Sequence, residues 1–255
     1  AVLRLGHLQS ELSEFESAKQ SYCEAIAAFN SALLIAPDYI CALNSKGIAL
    51  LCLGNLQAIL SEFEVAKQSY LKAIASCNSA LLIAPDYINA LNSKGIALLR
   101  LGELQAKLSE FEAAKQSYCE AIASCNSALL IAPDYINALK NKGNALQSLG
   151  GLQAKLSEFE TAKQSYCEAI AAYNSALFIA PDYIAALNNK GNALRCLGDL
   201  QEKLSERQEA LKNWQEALEM FDRSLAIAPN RDLVRSWRDS LQEFLDNLGK
   251  DSLSI

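Results

Sequence analysis

Two side chains one helical turn apart, Lys140 and Asn144, and a second group, Asn188, Asn189, Asn192 and Arg195, are the residues of this chain best suited to holding a ligand. Ammonium, guanidinium and carboxamide groups donate hydrogen bonds, and the first two add charge. Their chemistry is capture of a carboxylate or another acceptor rather than bond cleavage. The groups that catalysis needs are missing. His7 is the only histidine, and the chain shows no nucleophile–histidine pair, no glycine-rich phosphate loop and no metal-ligand cluster. No cofactor or metal is expected, and the chain reads as a non-enzyme. Glu62 and Glu64 look like an acid–base pair, but carboxylates in a first helical turn serve the helix dipole.

Eight cysteines stand at 23, 41, 52, 77, 119, 125, 167 and 196, with no C-x-x-C among them. Cys23, Cys119 and Cys167 share one repeat position with Leu71, and Cys77 and Cys125 share another with Phe29, Tyr173 and Phe221. Exchange with leucine and aromatics marks an apolar helix slot, not a ligand or a disulfide partner. Reduced structural cysteines point to a cytoplasmic, reducing compartment.

These residues are positioned by a repeat. The marker I-A-P recurs with its proline at Pro37, Pro85, Pro133, Pro181 and Pro229, a spacing of 48 residues. A period of this size is the mark of a solenoid, in which each unit buries its apolar face against its neighbours. In the second unit Leu43, Gly47, Leu50, Leu53, Leu56 and Leu60 form one helical stripe. The stripe resumes at Phe63 and runs through Ala66, Tyr70, Ala73, Cys77, Ala80 and Leu81. Between them Ser61 and Glu64 have capping-box spacing, repeated at Ser13/Glu16, Ser109/Glu112 and Ser157/Glu160, with Gln208 opposite Ser205. The reading is two antiparallel helices of ~22 residues per unit. Gly54, Gly102, Gly150 and Gly198 fall inside the first helix, and a kink or short break is expected there. Lys46, Lys94, Lys142 and Lys190 recur in every full unit and are expected to be structural. Tyr39, Tyr87, Tyr135 and Tyr183 follow the proline turn and are expected to staple unit to unit.

With the extra length set aside, the unit resembles a tetratricopeptide repeat. Leu43, Gly47 and Leu50 match the family's first helix, Ala73, Cys77 and Ala80 its second, and Pro85 its closing turn. The departure is a 48-residue unit against the usual ~34, the additional turns being shared by both helices. The resemblance implies an all-α, right-handed α-solenoid of stacked antiparallel hairpins spanning 1–255. Its parts are a truncated first unit (1–37), full units 38–85, 86–133, 134–181 and 182–229, and a capping helix at 230–255. The first residues align with the middle of a helix, so a longer parent array is expected. In the capping helix Leu233, Trp237, Leu241, Phe244, Leu245 and Leu248 are read as one apolar stripe, and Trp214 as core beside it.

The resemblance also implies that first helices line a concave face on which partner peptides lie. Three positions per unit then share that face: Asn44, Ile48 and Leu51; Asn92, Ile96 and Leu99, with Arg100 adjacent; Lys140, Asn144 and Gln147; Asn188, Asn192 and Arg195. The face passes from apolar to polar and weakly basic. Lys140, Asn144 and Asn189 resemble part of a co-chaperone clamp for a C-terminal carboxylate. The completing cations would fall near Leu233 and Trp237 and are absent.

Function is thus expected to be a protein–protein interaction scaffold holding a peptide or partner segment, one with an acidic side chain or a chain-terminal carboxylate. Alternatives are a structural, self-assembling array, stacking through the truncated N-terminal face, or the regulatory segment of a larger protein. The net charge of −6, with interleaved signs and no basic run, argues against a nucleic-acid partner, and no apolar run is long enough for a membrane span.

Overall fold

The computed structural model describes residues 2–252, the side chains of 249–252 excepted. Eleven helices and no strand occur among the described residues, and the fold is an α-solenoid. The helices are α1 (Val2–Glu11), α2 (Phe15–Ile35), α3 (Ile40–Ile59), α4 (Phe63–Ile83), α5 (Ile88–Lys107), α6 (Phe111–Ile131), α7 (Ile136–Lys155), α8 (Phe159–Ile179), α9 (Ile184–Lys203), α10 (Arg207–Ile227) and α11 (Asp232–Ser252). The chain divides into two compact units, Ala1–Asn141 and Lys142–Ile255, with the division inside α7. In the first, α1–α2, α3–α4 and α5–α6 form hairpins, and α2 packs on α3 as α4 does on α5. In the second, α9 pairs with α10, α8 packs on α9, and α11 covers α10.

The full first helices run 20 residues and their partners 21, close to the expected equal pair. The turn lies at Ser61 and its counterparts, but it is not built as a capping box. Glu62 N–H reaches Gln57 C=O at 2.8 Å and Ser61 N–H reaches Ala58 C=O at 3.2 Å. That pattern is a Schellman motif closing α3. Ser61 occupies its left-handed position with φ 62°, as do Ser13, Ser109, Ser157 and Ser205. The N-cap of α4 is Glu62, and no side chain caps the helix. The Glu62 carboxylate instead takes Lys19 Nζ at 3.0 Å, and Lys67–Glu110 and Lys163–Glu206 repeat that bond. A residue read as part of a helix start thus ties α4 to α2, α6 to α4 and α10 to α8.

The glycines inside the first helices neither break nor end them, since α3, α5, α7 and α9 run continuously through those positions. The expected break is corrected by a packing reason. A Cβ at Gly102 would stand 2.7 Å from Tyr118 Cε1, and one at Gly54 2.7 Å from Tyr70 Cε1. The missing side chain admits the tyrosine ring, which is itself buried. The hairpins α3–α4, α5–α6 and α7–α8 are further bolted by a buried hydrogen bond that the sequence reading missed, Ser69 Oγ to Gln57 Oε1, Ser117 Oγ to Gln105 Oε1 and Ser165 Oγ to Gln153 Oε1, each 2.7 Å.

Cys77 and Cys125 are fully buried, whereas Cys23, Cys119 and Cys167 are exposed, so only the first pair behaves as an apolar core slot. Tyr87 packs on Leu43, Ala80 and Ala90, and Tyr135 on Leu91, Ala128 and Ala138, as staples between successive pairs. At the C-terminal end Trp214 is core, its Nε1 donating to Asp199. Val234, not Leu233, begins the buried stripe of α11. Leu233 is 63% exposed because it lies one residue, about 100° of helix, off the line through Val234 and Leu241.

Two stability outcomes follow. Gly102→Ala should destabilise by about 1–3 kcal/mol in urea unfolding, overpacking against Tyr118 outweighing the helix-propensity gain of about 1 kcal/mol. Ser109→Gly should stabilise by about 0.5–1 kcal/mol, since glycine adopts the left-handed turn without a Cβ clash.

Candidate functional site

In the unit Ala1–Asn141, the first helices α3 and α5 pack against each other, whereas α4 and α6 are joined at their ends by Lys67–Glu110 without such packing. The stack is therefore tighter on the first-helix side. That closeness consumes the expected apolar anchors. Leu51 is 7% and Leu99 3% exposed, and Leu51 packs with Ala97 and Leu101 of α5. Ile48 and Ile96 are half-buried, Ile48 on the Tyr22–Leu53 cluster and Ile96 on that of Leu51. The reading of Leu51 and Leu99 as open anchors is corrected: both are buried, Leu51 against the neighbouring first helix α5.

The polar positions divide by what the next first helix offers. Asn141 Nδ2 donates to Asn92 Oδ1 at 2.8 Å within the first unit. In the second, Asn189 Nδ2 donates to Asn144 Oδ1 at 2.7 Å. Tyr173 Oη also donates to Asn144 Oδ1, at 2.8 Å, and lies 3.1 Å from Gln147 Oε1. The acceptors of Asn92 and Asn144 are therefore occupied. Ser93 and Trp237 stand at the repeat position of Asn141 and Asn189. Ser93 is too short to bridge, and tryptophan has a different shape. Accordingly Asn44 and Asn188 each keep a buried Oδ1 with no partner. A buried unpaired acceptor costs about 1–3 kcal/mol.

The cations are differently placed. Lys140 is half-buried, and burial, then the nearby positive Arg100, lowers its pKa. Arg100 is exposed and bonds Glu103 at 2.8 Å. Arg195 is held to Asn192 Oδ1 at 2.9 Å and to Asp199 at 3.1 Å, with its Nε buried and unpaired.

Two hollows open between α9 and α11, of about 390 and 320 Å³, and Trp237 walls both. The first gathers Asn188, Asn189, Arg231 and Asp232, and the second Arg195, Asp199 and Phe244. As expected, no cation comes from Leu233 or Trp237. Arg231 supplies one nearby, and it was missed because it precedes the helix on which the comparison was made.

A tetratricopeptide-repeat family model matches residues 1–31 and 96–135. Those two segments are similar to tetratricopeptide repeats, and the other units form the same helical hairpins. Their fold recurs in a thermophilic TPR protein from Thermus thermophilus, 18% identical over 94% of this chain and 97% of that one, with a TM-score of 0.53. BtubC (BKLC) from P. vanneervenii matches at 14% identity over 92% of both chains, TM-score 0.59. Apo RapI matches at 16% over 88% of this chain and 70% of its own, TM-score 0.59. No protein of curated function matches the chain in sequence.

One contact between these repeats brings a thiol to the histidine. Contrary to the sequence reading, the single histidine does meet a nucleophile: Cys52 Sγ lies 3.4 Å from His7 Nε2 across 45 residues. Burial pushes the Cys52 thiol up to about 12, opposite to the shift an activated thiolate needs. Among the described residues no three His, Cys, Asp or Glu side chains gather as a metal site, and no helix is long and apolar enough to cross a membrane.

The asparagine rule can be checked directly. Ser93→Asn, restoring the residue present at Asn141, should give Asn44 a donor and raise stability by about 0.5–1.5 kcal/mol in denaturant titration.

Proposed function

We propose that this protein is a non-catalytic scaffold that holds an extended segment of a protein partner along its first-helix face. The observation that carries the reading is Asn188, whose carboxamide oxygen is buried without a partner at the edge of a hollow shared with Asn189, Arg231 and Trp237. On rotation, that amide offers an acceptor to a peptide N–H, while Asn189 and Arg231 offer donors to a carbonyl or to an acidic side chain or chain end. Asn144, Gln147, Asn192 and Arg195 extend the donor-rich face within the same unit. In Ala1–Asn141 the corresponding positions are Asn44, Ile48, Asn92, Ile96, Arg100 and Lys140. Trp237 gives a flat apolar wall, the type of group around which binding energy concentrates. The cysteine usage fits a cytoplasmic setting.

A photo-crosslinking amino acid placed at Asn189, and as a control at the outward Ala171, tests this in cell extract. Adducts are expected from the first position only, falling about tenfold when Asn188→Ala and Arg231→Ala are combined. Equal labelling from both positions would sink the proposal.

A second reading, self-association, rests on α1. Leu5 and Leu8 are 49% and 52% exposed, whereas their repeat counterparts Leu53 and Leu56 are 8% and 1% exposed. A second copy covering this stripe would make the molar mass rise with concentration over about a hundredfold range in light scattering, and Leu8→Lys would abolish the rise.

A further inference from the structure

The second unit of the repeat departs from its copies on the opposite, second-helix side. Position 72 is lysine where the other units have Glu24, Glu120, Glu168 and Glu216. The first-helix residue facing it, Lys46, is lysine in every full unit. In the fifth unit that combination is a salt bridge, Lys190 Nζ to Glu216 Oε1 at 2.7 Å, with the Lys190 side chain only 10% exposed. In the second unit the carboxylate has been exchanged for a second ammonium.

Lys46 and Lys72 line one hollow of about 400 Å³, which shares Ile26, Asn30, Leu50 and Lys72 with a neighbour of about 360 Å³. The two are one groove between α2 and α4 with α3 as its floor, and no carboxylate lines it. Its floor is apolar, from Ile26, Leu43, Leu50 and Leu53. Its lip has changed in the same direction. Val65, 51% exposed and lining the groove, replaces Ser17, Ala113 and Thr161. Val65 and Lys72 lie two helical turns apart on one face of α4.

We propose that this groove docks an acidic segment of a protein partner, its carboxylates bonded by Lys46 and Lys72 and its apolar side chains laid on Ile26, Leu50 and Val65. Charge complementarity selects that occupant. Two ammonium groups without a carboxylate between them, in a chain of net charge −6, form a local exception that an acidic segment neutralises. The apolar floor and lip reward a segment that alternates acid with hydrophobe over a free small anion.

The probe is a fluorescein-labelled peptide alternating leucine and glutamate, followed by anisotropy against the full chain. Lys72→Glu is the informative variant because it installs the residue of the sister units and so preserves folding, which circular dichroism checks. Wild type is expected to bind about tenfold or more tightly than Lys72→Glu, and the leucine–glutamine version of the peptide is expected to bind as weakly as that variant does. Equal binding by wild type and Lys72→Glu overturns the proposal. So does displacement of the peptide by inorganic phosphate at equal concentration, which would make the groove a small-anion site.

Discussion

The close approach of the two helices in each hairpin is the constraint from which the rest follows. A glycine on the first helix faces a tyrosine ring on the second, at Gly54/Tyr70 and Gly102/Tyr118, or an indole at Gly198/Trp214. Aromatic rings bury a large area, but only if the facing backbone leaves room. The glycine costs helix propensity, which the buried ring offsets. Around that contact the buried Ser–Gln hydrogen bonds fix the register within a hairpin, and the Lys–Glu bonds from one second helix to the next fix the stacking. Repeat architectures hold together through such intra-unit and neighbour terms alone, so one small motif recurring in the chain is sufficient.

Near-identity of the units makes their differences interpretable. On the first-helix face the question at each asparagine is whether the next helix brings a group that can bond it. Asn92 and Asn144 are answered by Asn141 and Asn189, whereas Asn44 and Asn188 face Ser93 and Trp237 and remain unpaired. Asn44, Asn92 and Asn188 at one repeat position, and Asn144 one turn further along, therefore divide into those that bond the stack and those that stay unpaired. On the second-helix side the single change at Lys72 converts an internal pairing into an unpaired cationic groove. Both surfaces are read as variations on a fixed frame, and each is carried by one or two side chains.

Much of this was legible in the chain itself. The proline period, the helix stripes and the turn near Ser61 follow from local rules, because a helix boundary depends on residues within a turn or two of it. Buried small residues and the core placement of Trp214 followed as well, since periodicity marks which face is covered. The candidate site was only half legible. Its positions on the first helices could be assigned by spacing, but Leu51 and Leu99 lie in the packed core, and Arg231 was missed.

What the sequence by itself determined is the unit: its length, its two helices, and the positions at which copies differ. What only the tertiary structure decided is the partnership of each side chain across units. Asn141 bonds Asn92, Asn189 bonds Asn144, Glu62 bonds Lys19, and His7 lies against Cys52, each pair more than 40 residues apart in the chain. Such pairings depend on how closely one hairpin settles on the next, a distance set by the summed packing of many side chains rather than by any local pattern.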